Sequence, residues 1–471
     1  MMTTMEVFRR RVSVVPLLLL LCVCIPMTMA RRGGQDDQEE MSSIWSQGGD
    51  IFVLRRLKKV YKTEAGEMSV VRGVSSKGSP RELRIGFITM EPRSLFVPQY
   101  MNANLILFVR RGQMKVGSIQ KDGLVEKELK TGDVYRISSG STFYLENISE
   151  GQRLNIICSL DTTEALGSEV LQSFFIGGGA QRQSVLAGFD SRILSTAFNV
   201  SEEELSSLFR GQKEGPIIYV ERGRDEPRTW ESAMRLRQQS LPSHHHHDDD
   251  RDEDDEDRDT EEEEEDVVVW AWRKLLSAVV GKKADGRKSA MKSAAAADTY
   301  NLYERQHDFE NAYGWSVAVN ENVYPSLRHS DIGVYLVNLT AGSMMAPHLN
   351  PEATEYGVVL RGSGSVHIVF PNGSAAAEVA VKEGDVFWVP RFFPFCQVAS
   401  RGGPLEFFGF TTSARDNQPR FLAGANSVMQ EMKGPELAAA MGLRQSELDR
   451  LAQAQRQSVI LPPSSRSYVS V

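Results

Sequence analysis

The chain repeats one pattern of glycines and apolar residues, and the two copies lie roughly 250 residues apart. In the first half, residues 111–116 (RGQMKV) lead to residues 132–137 (GDVYRI). In the second half, residues 361–366 (RGSGSV) lead to residues 384–390 (GDVFWVP). A repeat of this length indicates two copies of one domain. The differences between the copies therefore indicate where a functional site lies.

The first 30 residues have the composition of a secretory signal peptide. Arginines at 9–11 precede an apolar run that contains five leucines at 17–21, and Ala30 offers a small residue at the cleavage position. The run is short for a membrane span, so we prefer a cleaved signal to the alternative, a signal anchor. We expect residues 1–30 to be removed. The polar stretch 31–50 is predicted to be disordered.

Removal of the signal peptide leaves two cysteines, Cys158 and Cys396, one in each copy. A secreted fold that depends on disulfides normally has several cysteines. Both residues lie in apolar, strand-like runs, where a buried thiol packs as a small hydrophobic group. We therefore predict free thiols rather than a disulfide.

Four Asn-x-Ser/Thr sequons remain in the mature chain, which predicts a glycoprotein if the acceptors are exposed. The strongest candidate lies in a Pro-Asn-Gly-Ser sequence that is typical of a hairpin turn. The four acceptor residues are Asn147, Asn199, Asn338 and Asn372.

Both copies consist of short apolar runs separated by turn signals, which predicts many short strands. Each copy ends in a sequence with helical features, such as the capping box that begins at Ser201 and the helix that is predicted near Leu448 and Leu451. The predicted fold is mainly β, with domain 1 at 51–215 and domain 2 at 300–460. Each domain carries a C-terminal α-helical arm, and residues 461–471 form a flexible tail.

The segment between the copies, residues 216–299, is predicted to be a solvated linker. Four histidines at 244–247 are followed by a run at 248–266 that contains sixteen acidic residues and only two arginines. Such a run repels itself and cannot bury apolar surface. We expect proteases to cut first within residues 240–295 and to leave two associated fragments. The chain has no basic face of the kind that binds nucleic acid.

The second copy contains a partial set of metal ligands. Gly342, His348, Asn350, Glu355 and Gly362 follow a spacing similar to the first motif of the cupin superfamily. Residues i and i+2 of a strand face the same side, so the side chains at 348 and 350 are expected to point into the barrel. The carboxylate at 355 follows a turn and is expected to approach them from the next strand.

The fourth ligand position of this motif falls on Phe395, which cannot bind a metal, and Cys396 lies beside it. The thiol would reach the site only if a bulge turned it inward. Tight transition-metal sites need several good nitrogen, oxygen or sulfur donors. The alternative is therefore that His348 and Glu355 form a buried hydrogen-bonded pair. The corresponding stretch of the first copy, residues 96–104, has no histidine, cysteine or acidic residue, so no metal site is predicted there.

Several short sequence segments of the chain resemble those of the vicilin (7S globulin) seed storage proteins. They are residues 132–137, 142–144, 174–176 and 183–189, and the likeness extends from about residue 51 to about residue 462. The resemblance implies two cupin barrels of the double-stranded β-helix (jelly-roll) type. It also implies homotrimers held by the helical arms, transport through the secretory pathway to protein storage vacuoles, and use of the protein as a nutrient reservoir.

The resemblance implies a protein that is not an enzyme and needs no cofactor, with neither a membrane nor a nucleic acid as partner. A single copper or zinc ion in the second barrel is the alternative, with His348, Asn350, Glu355 and Cys396 as its ligands. Two other functions stay open at this point: a metal-dependent, oxidase-like cupin enzyme, and a small-ligand or sugar-binding cupin that uses the second barrel. Processing proteases are expected to act on the acidic linker.

Overall fold

The structure, a computed structural model, divides the chain into two units. One consists of Met1–Val220 and Ala297–Val471, and the other of Glu221–Ala296. The predicted signal peptide, most of the linker and Glu204 of the predicted capping box lie outside the described residues. All described residues belong to the first unit, and they are 51–72, 83–120, 123–162, 171–177, 184–202, 215–220 and 299–464.

The first barrel consists of two antiparallel sheets. Its strands are β2 (Lys58–Lys62), β3 (Gly66–Arg72), β4 (Arg84–Met90), β5 (Ser94–Met101), β6 (Ala103–Arg111), β7 (Gln113–Gln120), β8 (Gly123–Lys130), β9 (Asp133–Ile137), β10 (Phe143–Asn147), β11 (Leu154–Thr162), β12 (Ser173–Phe175), β13 (Ile217–Tyr219) and β14 (Thr299–Asn301). Strand β1 (Val53–Leu54) precedes them in the chain but belongs to the sheet of the second barrel. One sheet has the order β14-β9-β6-β11-β4-β3-β2. The other has the order β12-β5-β10-β7-β8, with β13 paired to β5.

The second barrel repeats this arrangement as one continuous 13-stranded sheet, in which β1 also takes part. Its own strands are β15 (Phe309–Asn311), β16 (Gly314–Val319), β17 (Gly333–Leu339), β18 (Met344–Met345), β19 (His348–Leu349), β20 (Glu355–Val369), β21 (Ala375–Lys382), β22 (Val386–Val389), β23 (Phe395–Ala399), β24 (Leu405–Thr411), β25 (Arg420–Phe421) and β26 (Ile460–Leu461). The predicted two-barrel, mainly β fold is confirmed.

Strand β20 explains why the second barrel is continuous. It pairs with β22 and β24 through its first half and with β21 and β23 through its second half. In the first barrel the corresponding stretch is interrupted at Gly112 and forms β6 and β7. Gly112 and Gly362 both have positive φ, at 98° and 82°. A left-handed bend that favours glycine therefore redirects the chain at the same place in both copies.

The repeated Gly-Asp motif forms the same turn twice. Asp133 Oδ2 accepts a hydrogen bond of 2.7 Å from the backbone N–H of Lys130, and Asp385 Oδ2 accepts one of 3.1 Å from that of Lys382. A carboxylate that satisfies a nearby backbone N–H in this way stabilises a tight turn. The motif that reveals the repeat in the sequence therefore has a structural role.

The two barrels exchange their leading strands. Strand β1 precedes the first barrel in the chain but pairs with β22 of the second barrel. Strand β14 precedes the second barrel but pairs with β9 of the first barrel. Both strands lie close to the boundaries predicted for the domains. The predicted boundaries follow chain order, whereas each of these two strands is hydrogen-bonded to the other domain.

Aromatic packing between the barrels adds to this exchange. The rings of Phe108 and Phe408 are stacked, with centroids 4.0 Å apart and planes at 7°. Arg110 Nη2 donates a 2.7 Å hydrogen bond to the carbonyl of Leu360. Both phenylalanines belong to one buried cluster that contains the second-barrel interior and residues of β4, β6 and β9. A separate cluster fills the interior of the first barrel. The inter-barrel contact is thus continuous with the core of the second barrel.

A helical arm follows each barrel, as predicted. The first contains α1 (Ser191–Phe198); the second contains α2 (Val428–Glu431), α3 (Pro435–Ala440) and α4 (Gln445–Gln453). Leu448 of α4 is fully buried, but Leu451, which the sequence predicts to share its face, is 53% exposed. In the described part of the chain, no helix is long and apolar enough to cross a membrane.

Candidate functional site

The second barrel contains a cavity of about 400 Å³. Three of the residues predicted as metal ligands line it, namely His348, Asn350 and Glu355. Strand β19 supplies His348, Asn350 follows it directly, and β20 begins at Glu355. The alternation of side chains along a strand places residues 348 and 350 on one side, as the sequence predicts. The structure thus brings these three side chains to one cavity.

His348 is buried between aromatic rings. Its ring centroid lies 4.1 Å from that of Phe395 and 5.3 Å from that of Phe421. Its Nδ1 lies 2.7 Å from the carbonyl oxygen of Ala346. A carbonyl only accepts, so Nδ1 carries the proton and Nε2 is left as the acceptor. Burial lowers the pKa of His348 to about 4, so its imidazole is neutral at physiological pH.

Asn350 organises the turn between β19 and β20. Its Oδ1 accepts hydrogen bonds from the backbone N–H groups of Glu352, at 3.0 Å, and Ala353, at 2.9 Å. Its Nδ2 donates a 2.8 Å hydrogen bond to Glu355 Oε1. Burial raises the pKa of Glu355 to about 7, although the bond from Asn350 acts in the opposite direction. Both ends of the Asn350 amide are therefore engaged in structural hydrogen bonds.

The hydrogen bonds of His348 and Glu355 lead to different partners. The imidazole bonds to a backbone carbonyl, whereas the carboxyl bonds to Asn350. The sequence-based alternative of a buried His348–Glu355 hydrogen-bonded pair is therefore wrong. The reason is the geometry of the Asn350 turn, which holds the carboxyl in place without the imidazole.

The cavity has further polar lining residues, and sequence reasoning missed two that are buried and lie on strands. Tyr335 lies on β17 and Gln397 on β23, and they are 8% and 2% exposed. The Oε1 atom of Gln397 has no hydrogen-bond partner, and the Tyr335 hydroxyl makes no hydrogen bond of standard geometry. Burial, together with the nearby Glu355 carboxyl, raises the pKa of Tyr335 well above its ordinary value. In a sequence, the only signal for such residues is that they occupy inward-facing positions on predicted strands.

Cys396 does not join the cavity. Its neighbour Phe395 pairs with His348, and Cys396 itself pairs with His367 of β20 in a regular register without a bulge. Because neighbouring residues of a strand face opposite sides, the thiol lies on the face of His367. Burial is the main cause that raises the Cys396 thiol pKa to about 11. The structure thus opposes the prediction that this thiol is a ligand beside His348.

The described residues contain no group of three or more His, Cys, Asp or Glu side chains that could hold a metal ion. Of the ligands predicted from the sequence, the cavity brings together one imidazole, one carboxyl and one amide, and the amide is already engaged. Stable zinc and copper sites in proteins use three or four strong donors. This donor set does not fit a tightly held transition metal.

The first barrel has Gln99 at the position of His348. Gln99 of β5 pairs with Phe143 of β10 and Phe175 of β12. In the same way His348 pairs with a phenylalanine of β23 and a phenylalanine of β25. Gln99 is fully buried, and its Nε2 donates a 3.3 Å hydrogen bond to the carbonyl of Val97. The two barrels thus share an apolar frame around one polar residue, whose identity differs.

A second, larger groove of about 880 Å³ lies elsewhere on the protein. Its lining includes Leu54 of β1, Val71 of β3 and Val381 of β21. Its charged lining residues are Arg55, Lys382 and Asp385, and none of the predicted ligands contributes to it. The groove therefore adds nothing to the site in the second barrel.

The cysteines and the sequon residues have distinct environments. Cys158 and Cys396 are both free thiols, as predicted. Asn147 is buried, and its Nδ2 donates hydrogen bonds to three backbone carbonyls at 2.9–3.1 Å. Asn199 is the exposed C-cap of α1, Asn338 is partly exposed on β17, and Asn372 lies in an exposed turn. The amide of Asn147 is thus used by the fold, whereas Asn199 and Asn372 face solvent.

The barrel pair and its inward-facing site define a protein of the cupin type, and residues 54–206 and 300–449 match the cupin family. A vicilin-like seed storage protein of Arabidopsis thaliana is 45% identical over 416 residues, which are 87% of this chain and 80% of the relative. A second such protein of the same plant is 29% identical over 96% of this chain and 83% of its own length. The chain belongs to the vicilin-like seed storage proteins.

Solved vicilin structures share the fold. The vicilin of Corylus avellana matches with a TM-score of 0.69 and 21% identity over 88% of this chain and all of its own. The vicilin of Solanum melongena matches with a TM-score of 0.68 and 21% identity, covering 88% of this chain and 98% of its own. That protein holds different anionic ligands in structurally similar pockets. At these identities, the likeness concerns the fold alone.

Proposed function

We propose that this protein is a nutrient reservoir of seeds and is not an enzyme. The observation that carries the proposal is the 45% identity to a vicilin-like seed storage protein over 87% of the chain. A reservoir requires a stable, densely packed scaffold and no reactive centre. The paired barrels provide this scaffold, and burial favours the neutral forms of His348 and Glu355 in the cavity.

Quantitative immunoblots through seed filling and germination test the storage function. We expect accumulation during filling to a major share of seed protein, followed by rapid loss at germination. A constitutively expressed protein of the same seeds serves as the loading control. Low, steady amounts through both stages would contradict the proposal.

We propose that the second barrel works without a resident metal ion. The amide at position 350 is engaged, and Phe395 stands where a fourth ligand is expected. The alternative is a single copper or zinc ion on His348 Nε2 and Glu355. Metal analysis of protein purified from seeds without chelators decides between them. Less than about one-tenth equivalent of any transition metal is expected, and a stoichiometric metal that His348→Ala removes would overturn the proposal.

We propose a homotrimer in which the helical arms of one copy contact the next. Both arms expose apolar side chains that a single chain leaves in water, among them Ile193 of α1 and Leu451 of α4. Exposed apolar patches of this kind are typical of protein interfaces. Ile193→Asp and Leu451→Asp should each give monomers in sedimentation experiments. Thr196→Asp, on the exposed surface of α1, is the control, and an unchanged mass for both apolar variants would contradict the arm-mediated trimer.

We propose that the signal peptide directs the chain into the secretory pathway and finally to protein storage vacuoles. Asn199 and Asn372 are the acceptors that the fold leaves exposed, so glycans are expected there. Asn147 is expected to remain unmodified because its amide nitrogen is buried in hydrogen bonds. Mass spectrometry after enzymatic deglycosylation measures the occupancy of each site. A fully occupied Asn147 would contradict this assignment.

We also propose that processing proteases act on the acidic linker. The run 248–266 has a net charge of −14, which opposes compaction. N-terminal sequencing of the protein from mature seeds should place the first cuts within residues 240–295. Cuts inside either barrel that precede those in the linker would contradict this proposal.

A further inference from the structure

The cavity of the second barrel contains buried polar atoms that the protein does not satisfy. Gln397 is 98% buried, as its 2% exposure implies, and its carbonyl oxygen Oε1 has no hydrogen-bond partner. The Tyr335 hydroxyl is also buried; it interacts with the Glu355 carboxyl but makes no hydrogen bond of standard geometry. Buried polar atoms are nearly always paired with protein, water or a ligand. Both residues line the cavity, so the missing partner of Gln397 Oε1 belongs inside it, within reach of the Tyr335 hydroxyl.

The other polar atoms of the cavity define the chemistry of that partner. The imidazole of His348 presents Nε2 as an acceptor, because Nδ1 donates to a backbone carbonyl. Gln397 Oε1 is likewise an acceptor, and the Tyr335 hydroxyl can either donate or accept. A matching molecule therefore carries N–H or O–H donors together with an oxygen acceptor.

The charges around the cavity disfavour an anion. The acidic residues of the lining are Asp308, Glu355 and Asp416, and the basic one is Arg415. Arg415 and Asp416 are both exposed, whereas the buried part of the cavity has Glu355 and no Lys or Arg. An anion transferred into such a site would have no opposite charge to offset its lost hydration.

The cavity is also accessible and large enough for a small molecule. Arg415, Asp416 and Gln418 are exposed residues of the lining, so one end of the cavity reaches the surface. Its volume of about 400 Å³ lies within the usual range of small-ligand sites. The walls further inside are apolar and include Met345 and Phe407. Apolar walls with a few convergent polar groups are typical of a site for small molecules.

We propose that the second barrel binds a small neutral molecule with amide or hydroxyl groups, held by Gln397 and Tyr335. This binding site goes beyond the storage function and does not depend on it. The preference for neutral ligands differs from the Solanum melongena vicilin, whose pockets hold anions. Its physical reason is that the buried part of the cavity contains the Glu355 carboxyl and no Lys or Arg side chain that could pair with an anion.

Acetamide and acetate are a matched pair of probes, because they have nearly the same shape and differ in charge. The assay is a methyl NMR titration of the full chain at pH 7.5, with the Met345 methyl group as the reporter inside the cavity. Met345→Leu identifies its signal. We expect acetamide to shift this signal with saturation, and acetate at the same concentrations to leave it unchanged. Equal or tighter binding of acetate would overturn the proposal.

Two variants locate the binding groups. Gln397→Met should weaken acetamide binding by about 2- to 10-fold, the range expected for one neutral hydrogen bond, and Tyr335→Phe should weaken it by a similar factor. Gln99→Met, at the corresponding place in the first barrel, is the control and should leave the affinity unchanged. Undiminished affinity in both second-barrel variants would overturn the proposal.

Thermal stability separates a binding role from a structural one. Gln397→Met removes a carbonyl oxygen that the unliganded fold leaves unpaired, so this variant should keep or raise the Tm. Loss of more than a few degrees in Gln397→Met would mean that this side chain holds the barrel together. Failure of both probes to shift Met345 would mean that water satisfies these atoms. Either result refutes the proposed site and leaves the storage function untouched.

Discussion

At the scale of single residues, Asn350 shows why this cavity differs from a metal centre. Its carbonyl oxygen accepts two backbone hydrogen bonds, and its amide nitrogen donates to Glu355. These three bonds fix the turn that precedes β20 and orient the carboxyl. A residue that is fully engaged in this way contributes to the fold and has no capacity left for a metal ion.

The first prediction concerns this residue. Asn350→Ala should lower the free energy of unfolding by about 3 kcal/mol, because it leaves two backbone N–H groups and the buried Glu355 carboxyl without partners. Chemical denaturation measures the change. Asn372→Ala is the control, since its side chain forms a similar turn in an exposed position. A loss below about 1 kcal/mol at Asn350 would contradict the structural role.

The second prediction concerns the dependence of stability on pH. Burial raises the pKa of Glu355 from 4.5 to about 7, so the folded state binds its proton more tightly. This contribution is full below pH 4.5 and is lost as the pH rises through 7. Burial lowers the pKa of His348 from 6.5 to about 4, so its contribution is full above pH 6.5 and is lost as the pH falls through 4. Between pH 4.5 and 6.5, a rise in pH therefore lowers the contribution of Glu355 to the free energy of unfolding and raises that of His348.

Single variants should expose each slope. His348→Gln introduces the residue found at this position in the first barrel and removes the contribution of the imidazole. As the pH rises from 4.5 to 7, its free energy of unfolding should therefore fall by about 3 kcal/mol more than that of the wild type. In Glu355→Gln, stability should instead fall relative to the wild type as the pH is lowered from 6.5 to 4. Denaturation curves at several pH values measure both differences. Parallel pH profiles for the variants and the wild type would contradict these assignments.

At the scale of secondary structure elements, the bend in β20 depends on one glycine. Gly362 has a φ of 82°, and a Cβ atom there would lie 1.8 Å from the carbonyl oxygen of Pro404. Both the backbone conformation and the space exclude a side chain. Because this bend carries β20 from one half of the barrel to the other, it fixes the path of the longest strand described.

The third prediction tests this bend against a matched position. Gly362→Ala should destabilise the protein by about 4 kcal/mol or prevent folding, because strain and a backbone clash add together. Gly373→Ala, at a φ of 84° with nothing within 4 Å of the added Cβ, should cost only about 1 kcal/mol. Unfolding free energies, or soluble yield where folding fails, measure the difference. Equal costs at the two glycines would contradict the steric account.

Local sequence patterns predict the positions of helices and strands well, but they predict the burial of individual side chains less well. The helix that includes Leu448 and Leu451 was expected from its sequence, and α4 is present over Gln445–Gln453. Leu448 is buried, whereas Leu451 is exposed. Three residues along a helix give a rotation of about 300°, so the two side chains lie about 60° apart on neighbouring parts of the surface. Whether Leu451 is covered depends on packing that a helical pattern does not encode.

At the scale of the whole molecule, the exchange of β1 and β14 makes the barrels interdependent. Strand β1 precedes the first barrel in the chain but pairs with β22 of the second barrel, and β14 precedes the second barrel but pairs with β9 of the first. The stacked pair Phe108–Phe408 is buried where the barrels meet. Separation of the barrels would therefore break strand pairing and expose aromatic surface at the same time.

The fourth prediction follows from this exchange. If the recognition sequence of a site-specific protease is placed within residues 250–256, cleavage should give two fragments that co-elute in native buffer and separate only in denaturant. In the background Phe108→Ala with Phe408→Ala, the cleaved fragments should separate at lower denaturant concentrations than in the wild-type background. Size-exclusion chromatography measures both outcomes. Fragments that separate in native buffer without substitutions would contradict the interdependence.

The sequence alone determined the two-barrel fold, the helical arms and the convergence of His348, Asn350 and Glu355. These features depend on strand alternation, turns and motif spacing, all of which act over a few residues. Only the tertiary structure decided that Tyr335 and Gln397 share this cavity, that Gln99 is the counterpart of His348, and that Cys396 faces away. It also decided the strand exchange. These facts depend on which distant strands pair and in which register, and pairing between distant strands leaves no local pattern in the chain.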